Sequence, residues 1–503
     1  MGEYSTISKK YSKKNIFISV LVTVFVLASN IFATATFFPD GKSADRSDEW
    51  FDGNFTGKWE KKDSTSGDIW GDINLGRSSN VGEFLGKFNT YDNSSSGTLI
   101  GKFHNKILRG KITSDGEQET SRFFGFLNFE MTGFKAVIFG LKIGFMSISG
   151  EYEASFLPSL TGLYGVGTKD LHLIDESRLE EFTTEDPDDF REMMIRIWYP
   201  IDKEIEEPRI EYMDEPTFAW LMGRSPVPLI TIPDNAYQFV RPHGKNEVPI
   251  SDEEEMYPVI IFSPGYDGVY QIYTSLIEDI VSGGFIVVSI NHPYISGITV
   301  FPDGRKVYTA QNSSGDLGIR SVVEDAKFVL DNITEMNVSD QDFSGKFDLS
   351  KVGMYGHSFG GASTSICCYE DERFLCGLTL DGVFYIDYIP DGIYKPFMLL
   401  IAENRFNSQN VIDMWEHLFG DSYLVEIEGS THYAFTDVGI LLNHLVPLIP
   451  PKILGFGTIE PKRMINITRI FELMFFEVYL KDRPKQDLID LGSFFEDVKF
   501  EYK

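Results

Sequence analysis

The chain has 503 residues, more than one ordinary domain holds, so we expect two folded units. Its 45 basic and 75 acidic residues give a formal net charge of −30. That balance argues against a nucleic-acid-binding role, because phosphate binding needs a cationic face. Hydrophobic residues make up 42% of the chain, which is a globular composition, and the acidic excess is typical of a solvated surface.

The N-terminus predicts export. A basic stretch, residues 1–14, precedes residues 15–38, and Ile16–Phe38 is 23 residues long without a charge. That is about the length that crosses a bilayer core, so we expect a signal-anchor helix with the lysines kept cytoplasmic. A cleaved signal peptide stays open, because Ala33-Thr34-Ala35 has the small-x-small form of a cleavage site. Under either interpretation the rest of the chain lies outside the cytoplasm.

Residues 48–152 contain a glycine repeat. Units such as GNFTGKW and GEFLGKF begin at residues 53, 67, 82 and 97, and each is a short apolar alternation that predicts a β-strand. A single strand cannot bury its apolar face alone, so we expect the units to stack as a meander or a small solenoid. The region has no cluster of catalytic side chains, and we interpret it as a spacer or a surface-binding module.

Residues 155–503 alternate strand-like and helix-like segments. Apolar runs such as YPVIIFSPG, FIVVSINHP and PFMLLIAEN predict buried strands, and residues 318–336 and 464–480 have a helical period. This alternation predicts an α/β domain whose mostly parallel sheet carries helices on both faces. In such sheets chemistry gathers at the carboxyl ends of the strands. The chain's three cysteines are expected to be small core residues, with one local disulfide left open: Cys367, Cys368 and Cys376.

The segment KVGMYGHSFGGAS predicts a nucleophile. Gly356 to Gly360 match the pattern G-x-S-x-G between a predicted strand and a predicted helix. In that context the pattern predicts a strained turn that exposes the Ser358 hydroxyl above the sheet. A free hydroxyl is a poor nucleophile, so Ser358 requires a base and an acid that orients the base.

The base and the acid should follow Ser358 along the chain. Three histidines do so, and His432 is the candidate base because it lies on a loop after a strand, whereas His417 and His444 lie in helical or apolar segments. Two strand ends offer an acid, namely Asp381 and Glu403, and the spacing alone leaves both open.

Two backbone N–H groups are predicted to form the oxyanion hole. One belongs to Phe359, directly after the nucleophile, and the other to Tyr266 in the segment FSPGYDG. The mechanism needs neither a metal nor a cofactor, and no acidic loop has the ligand spacing of a calcium site.

Residues 160–481 resemble the plasma-type platelet-activating factor acetylhydrolases and their bacterial relatives. The motifs that carry the resemblance include LTGLYGVGTKDLHLIDESR, YPVIIFSPGYDG, GGFIVVSINHPY, VGMYGHSFGGAS, DERFLCGLTLDG and GSTHYAF. The resemblance implies a calcium-independent serine esterase of the α/β-hydrolase fold. It also implies that Asp381 is the acid, with Glu403 as the fallback. The sequence departs from the family where Pro264 replaces a frequent histidine.

The family's substrates are phospholipids with a short or oxidised acyl group and, more loosely, short-chain esters. The expected partners are therefore a lipid or short-acyl ester and, through the N-terminal segment, a membrane. A general carboxylesterase or cutinase-like polyester hydrolase stays open, as does a non-catalytic surface-binding protein. The apolar segment 436–461 is expected to be a packed cap, a lipid-facing surface, or both. The sequence makes no prediction of oligomeric state.

Overall fold

The computed structural model describes most of the chain from residue 53 to residue 503. The gaps in that description are residues 62–65, 76–80, 92–95, 105–106, 115–119, 130–132, 141–143, 154–156, 184–187, 225–236, 238–239 and 446–449. The predicted cytoplasmic tail and membrane segment, residues 1–38, lie outside the described residues. Within the described part, no helix is both long enough and apolar enough to cross a membrane.

The glycine repeat forms an eight-stranded antiparallel meander that closes on itself through pairing of its first and last strands. Its strands are β1 Gly53–Lys61, β2 Ser66–Leu75, β3 Val81–Asn89, β4 Ser96–His104, β5 Ile107–Ser114, β6 Thr120–Phe129, β7 Gly133–Gly140 and β8 Gly144–Glu153. The meander agrees with one of the two predicted arrangements. The solenoid is wrong, and closure into a barrel was not predicted.

Alternation along these strands explains the barrel's core. Residues two apart face the same side, and buried side chains such as Trp59, Ile69 and Leu99 follow that period. The repeat glycines permit close approach between strands: a Cβ on Gly67 would lie 1.6 Å from the Asn89 carbonyl oxygen. The glycine period therefore reflects strand packing.

A ten-stranded mixed sheet forms the rest of the fold, in the order β11-β9-β10-β13-β12-β16-β17-β18-β19-β20. The six strands β13, β12, β16, β17, β18 and β19 pair with one another in parallel. Antiparallel pairs occur at β9/β10, β10/β13 and β19/β20. The strands are β9 Gly165–Leu179, β10 Phe190–Ile201, β11 Lys245–Asn246, β12 Tyr257–Ser263, β13 Ile286–Asn291, β16 Phe347–His357, β17 Phe374–Leu380, β18 Phe397–Ala402, β19 Ser422–Ile427 and β20 Val498–Tyr502, with a separate hairpin of β14 Ile298–Val300 and β15 Lys306–Tyr308.

Helices accompany this sheet, and two large apolar clusters make up its core. Four strands, β12, β13, β18 and β19, are buried at every residue, as parallel strands covered on both faces must be. The helices of the described residues are α1 Glu215–Gly223, α2 Thr274–Ser282, α3 Asp316–Ser339, α4 Phe359–Glu370, α5 Gln409–Glu416, α6 Val438–Leu445, α7 Pro461–Leu480 and α8 Lys485–Leu491. The predicted α/β architecture is confirmed, and the sheet is mixed because antiparallel pairs flank the mostly parallel strands that were expected.

The three cysteines lie in this core and form no disulfide with one another. Cys367 and Cys368 are on α4, and Cys376 is on β17. Burial raises the pKa of the Cys368 thiol to about 12, so it stays protonated. They act as small apolar side chains.

Candidate active site

Ser358 occupies a sharp turn between β16 and α4. Its backbone has φ 55° and ψ −112°, a strained conformation for a residue other than glycine. The flanking glycines make that turn possible. A Cβ on Gly360 would lie 2.0 Å from the Ser263 carbonyl oxygen, and one on Gly356 would lie 2.4 Å from Gly360 backbone atoms. The turn therefore has the geometry of a nucleophile elbow.

His432 contacts Asp381 at the same edge of the sheet. The His432 Nδ1 lies 2.6 Å from Asp381 Oδ2. Asp381 directly follows β17 and is 1% exposed, whereas His432 opens a short 3₁₀ turn and its side chain is 35% exposed. Because a carboxylate only accepts, Nδ1 carries the proton, which leaves Nε2 as the acceptor. This is the tautomer that a general base requires.

Asp381 is held in its ionised form by three donors. Besides His432, the Ala402 N–H donates to Oδ1 at 3.0 Å and Arg405 Nη1 donates to Oδ2 at 3.2 Å. Burial alone would raise the pKa of Asp381, but the hydrogen bonds from His432 and Ala402 and the charge on Arg405 hold it below its ordinary value. The carboxylate is thus suited to stabilise a positive imidazolium.

The structure does not join Ser358 to His432 directly. In the described part of the chain, Ser358 Oγ has no hydrogen-bond partner. Catalytic hydrogen bonds are often long before substrate binds, so this does not rule out His432 as the base. The ring of His357, which precedes Ser358, lies 4.5 Å from the His432 ring, centroid to centroid.

The other candidates for acid and base lie elsewhere. The Glu403 side chain is exposed, and its backbone N–H donates to Ser430 Oγ at 3.3 Å. Only Asp381, of the two candidate acids, contacts His432. His417 directly follows α5, and its Nδ1–H donates to the Asp413 carbonyl at 2.7 Å. The backbone of His444 lies in α6.

The two residues predicted to form the oxyanion hole meet beside Ser358. Phe359 begins α4, so its N–H belongs to the first turn, which has no intrahelical acceptor. The rings of Tyr266 and Phe359 lie 5.8 Å apart. A Cβ on Gly265 would lie 3.3 Å from Ser358 Cβ, so the loop after β12 passes directly over the serine. No described residue accepts a hydrogen bond from the Tyr266 N–H.

His357 is a residue of this site that sequence reasoning missed. Its Nε2–H donates to the His432 carbonyl at 2.9 Å, and the Tyr273 hydroxyl donates to Nδ1 at 2.8 Å. Burial, followed by the charge that His432 carries when protonated, lowers the pKa of His357 to about 3. A neutral His357 therefore holds the backbone of His432. Arg405 was also missed, and nothing in its sequence context indicates a contact with Asp381.

A serine on a strained strand-to-helix turn, with a histidine–aspartate pair from later strand ends, defines a member of the α/β-hydrolase superfamily. The family model for platelet-activating factor acetylhydrolase, isoform II, matches residues 149–334 and 323–490. These matches cover more than half of the chain, which therefore belongs to this family. The resemblance seen in the sequence motifs is confirmed.

Individual relatives are distant. The platelet-activating factor acetylhydrolase of Cavia porcellus is 25% identical over 45% of this chain and 58% of its own length. The enzyme of the same name from Canis lupus familiaris is 25% identical over 69% of this chain and 83% of its own length. The chain thus aligns with less than two thirds of the first relative. Among solved structures, a ferulic acid esterase from Streptomyces cinnamoneus matches with a TM-score of 0.58 and 26% identity, covering 68% of this chain and 98% of the esterase.

Proposed function

We propose that the protein is a serine ester hydrolase that cleaves short or oxidised acyl esters of phospholipid-like substrates without calcium. The observation that carries the proposal is the 2.6 Å contact between His432 Nδ1 and Asp381 beside a serine held at φ 55°. A buried, ionised carboxylate that fixes the histidine tautomer next to a strained serine is the arrangement that activates a hydroxyl.

The reaction proceeds through an acyl-enzyme. Ser358 Oγ attacks the ester carbonyl while His432 Nε2 takes its proton, and Asp381 stabilises the imidazolium that forms. The backbone N–H groups of Phe359 and Tyr266 donate to the oxyanion. The imidazolium then gives its proton to the leaving alcohol. Water, deprotonated by His432, releases the acid and restores the Ser358 hydroxyl.

The test compares a short-acyl phospholipid with a soluble butyrate ester on the intact protein. Ser358→Ala should abolish hydrolysis of both esters. Ser365→Ala is the matched control, because Ser365 is buried on α4, the helix that follows Ser358, and its hydroxyl donates to the Ala362 carbonyl at 2.8 Å. Full activity in Ser358→Ala would contradict the proposal.

A general carboxylesterase is the second candidate. The ferulic acid esterase match favours it, because that likeness covers nearly all of the esterase and 68% of this chain. A kcat/KM for the butyrate ester far above that for the phospholipid would support the carboxylesterase. The reverse ratio would support the phospholipid esterase.

We also propose that the catalytic region, residues 155–503, and the glycine-repeat region, residues 48–152, lie outside the cytoplasm. The support is the uncharged segment Ile16–Phe38 behind a lysine-rich start. Residues 15–38 would serve as an anchor, or as a cleaved signal that secretes the rest, and residues 1–14 would remain inside. Protease added to intact cells should degrade the catalytic region, and full protection would contradict export.

A further inference from the structure

A second serine–histidine–aspartate array lies behind the active site. Ser263 ends β12, His292 directly follows β13, and Asp325 lies in α3. The His292 Nε2 lies 3.2 Å from Ser263 Oγ, and its Nδ1 lies 2.9 Å from Asp325 Oδ2. All three side chains are at most 1% exposed, so no substrate reaches this serine. The array therefore needs a role other than nucleophilic attack.

The direction of its hydrogen bonds is determined. Asp325 only accepts, so His292 donates through Nδ1–H, and its Nε2 accepts a hydrogen bond from the Ser263 hydroxyl. Burial lowers the pKa of His292, which keeps the ring neutral. Burial opposes ionisation of Asp325, but the charge on Arg191 and the hydrogen bond from His292 move its pKa far below the ordinary value. The hydrogen bonds therefore run in one direction, from Ser263 to His292 and from His292 to Asp325, which stays ionised.

Arg191 connects this carboxylate to the loop that carries His292. Its Nη2 lies 2.6 Å from Asp325 Oδ2 and its Nε lies 3.1 Å from Oδ1, while Nη1 donates to the Pro293 carbonyl at 3.0 Å. The same Nη1 lies 2.7 Å from Glu180 Oε2. Removing one partner of such a buried ion pair leaves the other charge unpaired, which strongly favours this arrangement of Arg191, Asp325 and Glu180.

The His292 loop in turn supports the segment that passes over Ser358. The Asp267 N–H donates to the Ile295 carbonyl at 3.0 Å, and the Gly297 N–H donates to the Gly268 carbonyl at 2.9 Å. Ile295 itself donates to the His292 carbonyl at 3.0 Å. These bonds fix residues 267–268, directly after Tyr266.

Ser263 fixes the other end of that segment. It directly precedes Pro264-Gly265-Tyr266, and its hydroxyl is held by His292. A Cβ on Gly360 would lie only 2.0 Å from the Ser263 carbonyl oxygen. The end of β12 therefore packs directly against the turn that carries Ser358. Tyr266 is therefore held from both sides by contacts that lead to His292.

We propose that Ser263, His292 and Asp325 are positioning residues that aim the Tyr266 N–H at the developing oxyanion. The inference rests on the proposed ester hydrolase function. An N–H donor acts only if it lies within hydrogen-bond distance of the oxyanion, and losing one donor costs about 10²–10³ in turnover. A loop that relaxes by a fraction of an ångström should therefore lower kcat and leave substrate binding unchanged.

The experiment uses Ser263→Ala in the full chain with a matched pair of soluble esters, one a carbonyl ester and one its thionoester. Sulfur accepts hydrogen bonds poorly, so the thionoester benefits little from an oxyanion hole. Ser263→Ala should lower kcat for the carbonyl ester by about tenfold or more, with KM unchanged within about twofold. The thionoester rate should fall by less than about threefold.

Ser289→Ala is the control. Ser289 is equally buried on the neighbouring strand β13, but its hydroxyl accepts from Trp198 Nε1 at 2.9 Å and does not contact the loop over Ser358. It should cost stability and leave the ratio of the two ester rates unchanged. His292→Asn removes the acceptor for Ser263, so combining it with Ser263→Ala should add little further loss.

Equal losses on both esters, or no loss in Ser263→Ala, would overturn the inference. So would a change of ratio in Ser289→Ala as large as that in Ser263→Ala. A wild-type protein without esterase activity would contradict the proposed function instead, so the two failures are distinguishable.

Discussion

Replacing Asp381 by its isosteric amide separates an orienting role from a structural one. Asp381 accepts from His432, Ala402 and Arg405 at 2.6, 3.0 and 3.2 Å. In Asp381→Asn the amide oxygen can accept the hydrogen bond from the Ala402 N–H. The NH₂ group then points towards His432. Two donors then face each other unless His432 moves its proton to Nε2, and that tautomer cannot accept the serine proton.

The size of the effect follows from this tautomer change. In a comparable triad the same substitution costs about 10⁴ in turnover with the geometry intact, which is about 5 kcal/mol of activation free energy. Folding should lose much less, because Asp381→Asn gives up charge-assisted hydrogen bonds worth about 1–3 kcal/mol. We therefore expect near-complete loss of hydrolysis with a folded protein.

Glu403→Gln is the control, since Glu403 is exposed and its side chain does not contact His432. It should cost less than about tenfold in turnover. The assay measures kcat on a butyrate ester and the melting temperature of both variants. Near-normal turnover in Asp381→Asn together with loss of turnover in Glu403→Gln would refute the reasoning. It would identify Glu403, in the loop after β18, as the catalytic acid.

Three further predictions concern the rest of the molecule. Burial, with Glu278 nearby, raises the pKa of Asp437 to about 7, so the native state binds a proton that the unfolded state has lost above about pH 4. The free energy of unfolding should then fall between about pH 4 and 7, and Asp437→Asn should raise the melting temperature at pH 8 but not at pH 4; parallel curves would contradict this assignment. A strong chelator should leave ester hydrolysis unchanged, because the proposed steps use only side chains and backbone N–H groups, and a loss restored by calcium would contradict the mechanism. In a secretory host, peptide mass spectrometry should find glycan on Asn312, which is exposed on a turn, and none on Asn337, whose amide donates to the Phe347 carbonyl at 3.0 Å and accepts from its N–H at 3.1 Å.

The parts of the site that the sequence predicts are those set by local backbone geometry. The glycines around Ser358 are adjacent in sequence, and the clash distances at Gly356 and Gly360 show why the turn needs them. The alternation of strands and helices likewise predicts the parallel part of the sheet, whereas its antiparallel pairs were not predicted. The choice between Asp381 and Glu403 depends instead on which carboxylate reaches His432, and spacing alone does not determine that.

Contacts between distant segments were beyond sequence reasoning. Closure of the barrel pairs Asn54 with Glu153, about a hundred residues apart, and no local pattern encodes that pairing. The buried array behind the loop over Ser358 brings together Ser263, His292 and Asp325 from three separate parts of the chain. Each residue has an ordinary context in sequence, so only the fold shows that they meet.

Covalent labelling of Ser358 tests the central claim most directly. A fluorophosphonate reacts with a serine only when a base activates it, so the folded wild-type protein should be labelled on the peptide that contains Ser358. Ser358→Ala should not be labelled, and Asp381→Asn should be labelled far more slowly than Glu403→Gln. A correctly folded wild-type protein that stays unlabelled, or carries the label on another serine, would contradict the account.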